Sequence, residues 1–151
     1  GKTNLEGVMS SPIVFDVGDN LIGLMYSESG EYKSFYGSER TGAIDALEGA
    51  DEIITFSGLN YDIKEVEKAS KELRGKGFSP KGIHTDIMTR CWDTCYGADL
   101  AECFDKIIGE KVSLPDTHLG SNEKDVYMTL KLWKSLYLSN NETRRDLLWS
   151  H

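Results

Sequence analysis

The chain has 151 residues and a net charge of −8 at pH 7, and 39% of its residues are hydrophobic. This length suits one domain with a substantial buried core, and no apolar run approaches the roughly 18 to 20 residues that a membrane span needs. The net negative charge argues against broad binding to polyanions. Affinity for the phosphate backbone of a nucleic acid comes largely from lysine and arginine side chains that displace counterions.

The chain start carries no signal peptide pattern. Its first eight residues, "GKTNLEGV", are polar and lack the apolar h-region of such a peptide. We therefore expect a flexible leader over residues 1–11, followed by a single domain over residues 12–151.

The cysteines favour a reducing compartment. Cys91, Cys95 and Cys103 are an odd number, which indicates free thiols in a cytoplasmic protein rather than a disulfide framework. The "CWDTC" spacing resembles half of a zinc site, but no second Cys or His pair lies at a suitable distance.

The first elements of the chain are predicted to be strands. Residues 12–17, "PIVFDV", form an apolar run typical of a buried strand, and residues 20–27 form a second strand after a tight Gly-Asp-Asn turn. Residues 31–37 alternate like a third, outer strand. The three together predict an antiparallel meander.

The periodicity becomes helical after the meander. Helix, strand, helix, strand and helix follow at residues 41–50, 52–58, 61–74, 82–88 and 99–109. Thr41 is a candidate N-cap for the first of these helices, Gly75 ends the second, and a long helix begins near Ser121. This order predicts an α/β fold with a mixed five-stranded sheet, helices on both faces and the first strand central.

Three aspartates fall where strand ends and helix starts would meet. Asp16 closes the first strand, and Asp62 and Asp125 lie in the first turns of two helices. Each alone is explained more simply by a strand end or a helix dipole. Together they lie at the sheet edge where α/β folds bind ligands. Three carboxylates there would repel one another without a hard cation, and oxygen-only ligands suit Mg²⁺ or Mn²⁺.

Four segments carry a resemblance to a known family. They are "VFDVGDNLIGLMY", "EIITFSGLNYDIKEV", "GIHTDIMTRCWD" and "NEKDVYMTLKLW". In this order they resemble the DEDD 3′-5′ exonuclease branch of the ribonuclease H-like superfamily, over residues 12–137. The strongest segment, "FSGLNYDIKEV", is similar to the second motif of that branch, with Asn60 and Asp62 as its Asn and Asp.

The resemblance implies a site and a mechanism. Asp16, Asp62 and Asp125 would be the catalytic metal ligands, Asn60 would contact the substrate, and Asp86 would be a supporting acid beside it. Two Mg²⁺ or Mn²⁺ ions would activate water and stabilise the attacking and leaving oxygens of the scissile phosphate. The substrate would be DNA or RNA, with single-stranded ends favoured.

The first motif departs from the family pattern, which is Asp-x-Glu. This chain has Asp16, Val17 and Gly18, so the second acid is missing. Asp19 would replace it as a metal ligand only if the turn bulged, because strand alternation directs it away from Asp16.

The third motif also lacks its usual water-orienting residue. The family has a Tyr four residues before its Asp or a His five before, and these positions are Ser121 and Gly120. His118 is the candidate base in the same segment, since histidine titrates near neutral pH. A surface histidine in a loop is the simpler interpretation.

A basic stretch follows the second motif. Its cations are Lys64, Lys68, Lys71, Arg74, Lys76 and Lys81. A solvated helix face with i,i+4 ion pairs is the simpler interpretation. If the site is a nuclease, Lys64 and Lys68 are the candidates for substrate binding.

Two other functions remain open. One is a catalytically inactive ribonuclease H-like module that binds nucleic acid or protein. The other is a haloacid dehalogenase-like phosphatase, which "FDVGDNLIG" resembles. That family requires a second Asp at the position of Gly18 and a parallel sheet.

The tryptophans and the C-terminal tail are relevant to packing and to dimer formation. Trp92, Trp133 and Trp149 are expected to pack a core or a dimer face rather than to stack on bases. The tail "NNETRRDLLWSH" carries an apolar cluster that would dock on this domain or on a second copy, so a homodimer is a further hypothesis.

Overall fold

The computed structural model describes residues 11–138 of the chain. The predicted leader therefore lies outside the described residues except for Ser11, whose hydroxyl is 2.9 Å from the Ser27 hydroxyl. Trp149 and the apolar cluster of the tail also lie outside them. No helix among residues 11–138 has the length and apolar character to cross a membrane.

A mixed sheet forms the centre of the fold. Its five strands are β1 (Ile13–Gly18), β2 (Leu21–Tyr26), β3 (Tyr32–Tyr36), β4 (Glu52–Thr55) and β5 (Ile83–Asp86), in the spatial order β3-β2-β1-β4-β5. Strands β1, β2 and β3 pair antiparallel, whereas β4 pairs parallel to both β1 and β5. The predicted meander, the mixed five-stranded sheet and the central first strand are confirmed.

Helices cover both faces of the sheet. They are α1 (Arg40–Gly49), α2 (Asp62–Arg74), α3 (Met88–Cys91), α4 (Leu100–Ile107) and α5 (His118–Trp133). A 3-10 turn at Gly37–Glu39 precedes α1, and a π-helical turn at Lys134–Leu138 follows α5. Helices α1 and α2 pack on one face, and α4 and α5 pack on the other. The α3 turn had no counterpart in the prediction.

Two predicted helix starts were wrong. Helix α1 begins at Arg40, and the Thr41 hydroxyl donates to the Ser38 carbonyl instead of capping the helix. Helix α5 begins at His118, because the hydroxyl of Thr117 accepts the backbone N–H of Gly120 at 3.0 Å. Ser121 has a hydroxyl followed by charged residues, which is a common N-cap pattern. The residue before α5 that has the extended backbone of an N-cap is Thr117.

Alternation along β1 decides which side chains reach each face. Ile13 and Phe15 pack in the core with α1 and α2, whereas Val14 packs with α4 and α5. Successive strand residues point to opposite faces, so Asp16 and Gly18 face α5. Trp133 is 4% exposed in the core of that face, as predicted for a structural tryptophan.

Candidate active site

One stripe of helix α5 faces the end of β1. Residues His118, Asn122 and Asp125 recur at intervals of four and three, which places them on one side of a helix with 3.6 residues per turn. Each one meets the end of β1: His118 lies against Gly18, and Asn122 and Asp125 both contact Asp16. The stripe and the end of β1 are the two walls of the candidate site.

Asp16, Asp62 and Asp125 meet at this place. Asp62, the first residue of α2, is 4% exposed, whereas Asp16 and Asp125 are half-buried. The pKa of Asp16 is raised to about 9, first by loss of solvent and then by the charges of Asp62 and Asp125. The predicted convergence of the three acids is thus present in the structure.

The other two carboxyls respond to the same crowding. Burial is the largest cause that raises the pKa of Asp62 to about 7, and the nearby charges of Asp86 and Asp125 add to it. Burial also raises the pKa of Asp125, while its hydrogen bond with Asp16 acts in the opposite direction. The same bond raises the pKa of Asp16, so the two carboxyl groups are joined by a hydrogen bond and their titrations are linked.

These pKa values bear on whether the site suits a cation. Among residues 11–138, no three His, Cys, Asp or Glu side chains already stand in an arrangement that would hold a metal ion. The donors nevertheless have the right chemistry, because carboxylate oxygens are ligands that hard cations prefer. Asp16, Asp62 and Asp125 are the side chains that would hold Mg²⁺ or Mn²⁺.

Asn122 fixes the position of Asp16. Its side-chain nitrogen donates to the Asp16 carbonyl at 3.1 Å and to Asp16 Oδ2 at 3.3 Å. Its side-chain oxygen accepts the hydroxyl of Tyr32 at 2.5 Å. The pKa of Tyr32 is raised, chiefly by burial and then by the charge of Glu123, so this hydroxyl keeps its proton as a donor. The chain Tyr32–Asn122–Asp16 joins β3, α5 and β1.

Gly23 on β2 provides the space for Asn122. A Cβ atom on Gly23 would lie 1.7 Å from the Asn122 side-chain oxygen, so no larger residue fits there with Asn122 in place. The sequence analysis did not identify Asn122. The available signal was the glycine within the apolar strand "LIGLMY", because such a glycine often marks a close approach to another group.

His118 occupies the space beside Gly18. A Cβ atom on Gly18 would lie 3.0 Å from His118 Nε2 and 3.1 Å from its Cε1. His118 Nε2 also lies 3.2 Å from the Asp19 carbonyl. A carbonyl only accepts, so Nε2 is the donor in this contact. The prediction of a loop position for His118 was wrong, because it is the first residue of α5.

Asp19 lies on the opposite side of the sheet edge. It lines a cleft of about 200 Å³ together with Arg40, Lys68 and Glu72. Asp19 is also not among the charges that shift the pKa values of Asp16, Asp62 and Asp125. The structure therefore does not bring the Asp19 side chain to the three central aspartates.

Asp86 supports the loop between β4 and α2. Its Oδ1 accepts the backbone N–H groups of Ser57 at 2.7 Å and Met88 at 3.1 Å, and its Oδ2 accepts that of Leu59 at 3.3 Å. Ser57 has a φ of 64°, a conformation that costs energy in a residue with a side chain. Asp86 thus stabilises the loop that leads to Asp62, and both of its oxygens are occupied by backbone groups.

The tip of this loop is open to solvent. Asn60 is exposed there, between Leu59 at 61% exposure and Tyr61 at 55%. Lys64 and Lys68 are exposed on α2, one helical turn apart. An exposed apolar and aromatic pair beside buried carboxylates is a suitable surface for an unstacked base.

Comparisons with known proteins show the fold. No protein-family model matches the chain, and no curated protein matches it in sequence. A solved family B DNA polymerase from the archaeon Pyrobaculum calidifontis matches in structure with a TM-score of 0.61 and 13% identity. The match covers 83% of this chain but only 24% of the polymerase chain. With the mixed sheet and its flanking helices, it defines the class: an α/β domain with a ribonuclease H-like fold.

Proposed function

We propose that this chain is a metal-dependent 3′-5′ exonuclease-like domain of the DEDD type, acting on single-stranded ends of DNA or RNA. The observation that carries the proposal is the meeting of Asp16, Asp62 and Asp125 at one edge of a ribonuclease H-like sheet. The structural match to part of a DNA polymerase supports a role in nucleic-acid processing. The free thiols support a cytoplasmic location, and a homodimer remains a separate hypothesis.

The carboxylates would hold Mg²⁺ or Mn²⁺, which in such sites stabilises the attacking and leaving oxygens of a phosphodiester. The chain itself supplies the geometry. Asn122 orients Asp16, and the loop stabilised by Asp86 presents Asp62. His118, at the start of α5 beside Gly18, is the candidate to accept a proton from water.

The substrate would approach from the loop side of the site. Leu59 and Tyr61 would stack on the terminal base, and Asn60 between them would hydrogen-bond it. Lys64 would contact the phosphates that precede the scissile bond, and Lys68, which lines the cleft with Asp19, would contact phosphates farther along the strand. This local basic pair reconciles nucleic-acid binding with the overall negative charge, because two exposed lysines attract a short strand without a broad basic surface.

The second candidate is an inactive module with the same fold. Gly18 supports it, because glycine offers no ligand where the family has its second acid. The phosphatase alternative is weakened by the antiparallel pairing of β1 with β2 and of β2 with β3, since that family requires a parallel sheet.

A labelled-strand assay separates these functions. We expect 5′-labelled single-stranded DNA or RNA to give a ladder of 3′-shortened products with Mn²⁺, and no ladder with a chelator. Asp125→Asn should abolish it, whereas Asp105→Asn, which removes an equal charge from an exposed site on α4, should not. Salt-sensitive binding without cleavage would identify the inactive module. Neither binding nor cleavage by the folded protein would overturn both.

A further inference from the structure

The three cysteines form a second cluster, remote in sequence from the carboxylates. Cys91 ends α3, Cys103 lies in α4, and Cys95 lies in the connection between them. The Sγ atoms of Cys95 and Cys103 are 3.1 Å apart, and the Cys95 thiol donates to the Cys91 carbonyl at 3.3 Å. All three are free thiols.

Local hydrogen bonds hold the sulfurs of Cys95 and Cys103 near each other. The backbone N–H of Cys95 donates to the Cys91 carbonyl at 3.0 Å, and Trp92 Nε1 donates to the Ala98 carbonyl at 2.8 Å. A capping box of Asp99 and Glu102 then begins α4. A disulfide has an S–S length of about 2.05 Å, so the sulfurs need to approach by only about one ångström more.

Solvent access distinguishes Cys95 from the other two. Cys91 and Cys103 are both 0% exposed, whereas Cys95 is half-buried. Burial also raises the pKa of both Cys91 and Cys103, which keeps these two thiols protonated and less reactive toward an oxidant in solution. An oxidant in solution therefore reaches Cys95 first.

We propose that Cys95 and Cys103 are a thiol-oxidation site that closes to an intramolecular disulfide. A hydroperoxide transfers one oxygen to the Cys95 sulfur, giving a sulfenic acid and releasing water or an alcohol. The Cys103 thiol then attacks the Cys95 sulfur, the S–S bond forms, and the sulfenic oxygen leaves as water with the Cys103 proton. The inference does not depend on the proposed nuclease function.

The cross-link would act on one side of the domain. Cys103 and Phe104 of α4 pack in the same core cluster as Val126 and Leu130 of α5. A bond from Cys95 to Cys103 would therefore tie the connection after α3 to the helix that supports α5. It would limit movement of α4 away from the core.

Peptide mapping tests the site on the full chain. The reduced protein is treated with hydrogen peroxide, alkylated and digested with a protease that cleaves before aspartate. Cleavage before Asp93 and Asp99 places the three cysteines in separate peptides. We expect a Cys95–Cys103 cross-linked peptide, alkylated Cys91, and reversal by dithiothreitol.

Variants define the results that would overturn the proposal. Cys91→Ala should still give the cross-link, whereas Cys95→Ala and Cys103→Ala should not, with circular dichroism to confirm that each is folded. A bridge that includes Cys91, a bridge only between chains, or sulfinic acid without any bridge would overturn the proposal. Retention of a metal ion by the thiols during peroxide treatment would overturn it as well.

Discussion

The imidazole of His118 lies where a side chain on Gly18 would project, with Nε2 3.0 Å from the position of a Cβ atom. His118 begins α5, the helix that also carries Asp125. A side chain at position 18 would therefore require the imidazole of His118 to shift by a few tenths of an ångström or more.

This close approach predicts the outcome of adding an acid at position 18. Gly18→Glu alone should displace His118 and break its hydrogen bond to the Asp19 carbonyl, at a cost of about 1 kcal/mol in the free energy of unfolding. It should not raise nuclease activity. Gly18→Glu combined with His118→Ala should recover that stability and raise Mn²⁺-dependent cleavage above that of either single variant. Full stability and increased cleavage in Gly18→Glu alone would contradict this.

The crowded carboxylates predict how stability depends on pH. The pKa of Asp16 rises from 3.8 to about 9 on folding, so the folded state binds more protons than the unfolded state between these values. In a chelator, the contribution of Asp16 is complete below pH 4 and is lost as the pH rises toward 9. Urea unfolding of wild type and Asp16→Asn should show a difference that grows across this range. A pH-independent difference would contradict it, with Asp105→Asn as the charge control.

Divalent cations should restore the stability that the folded protein loses as the pH rises. A cation bound by Asp16, Asp62 and Asp125 replaces their protons, and a ligand that binds only the folded state stabilises it. Mn²⁺ should therefore raise the melting temperature more at pH 8 than at pH 5. Asp62→Asn should reduce this increase, whereas Asp19→Asn should not, because Asp19 lines the cleft beside α2. Equal effects of the two variants would contradict the placement of the site.

Replacement of Asn122 should lower the free energy of unfolding, although its polar neighbours in the sequence suggest a surface position. Asn122→Ala leaves the Tyr32 hydroxyl and the Asp16 carboxyl without their shared partner, and an unpaired buried group costs about 1–3 kcal/mol. Tyr32→Phe removes only one of these hydrogen bonds and should cost less. Urea unfolding of the two variants measures the free energy that each one loses. A smaller effect of Asn122→Ala than of Tyr32→Phe would show that the relay does not hold Asp16.

Asp86 should control the order of the loop before Asp62. Asp86→Asn retains the shape of the side chain but weakens its bonds to the backbone of Ser57, Leu59 and Met88, which are charge-assisted. Hydrogen exchange at these three amides should become faster, while amides of the central strand β1 should be unchanged. Asp93→Asn, on the exposed connection after α3, is the matched control. Unchanged exchange at Ser57 would contradict the supporting role.

The sheet and the places of the three aspartates beside strand ends and helix starts could be predicted from the sequence, because both depend on local patterns. Apolar runs and turn residues define β1 and β2, and Asp16 and Asp62 lie next to such elements. Asn122 was not predictable in this way, because its burial depends on Gly23, which is distant in the chain. His118 was placed in a loop because Ser121 matched a cap pattern. Moving the helix start by three residues puts His118 on the same side of the helix as Asn122.

Positions 23 and 122 share one volume, since a Cβ atom on Gly23 would overlap the Asn122 side chain. A larger residue at position 23 is therefore compatible only with a smaller one at position 122, and the two should change together among relatives of this chain. This paired variation is independent of charge. It would remain a recognisable mark of common descent even in relatives that have lost every acidic residue of the site.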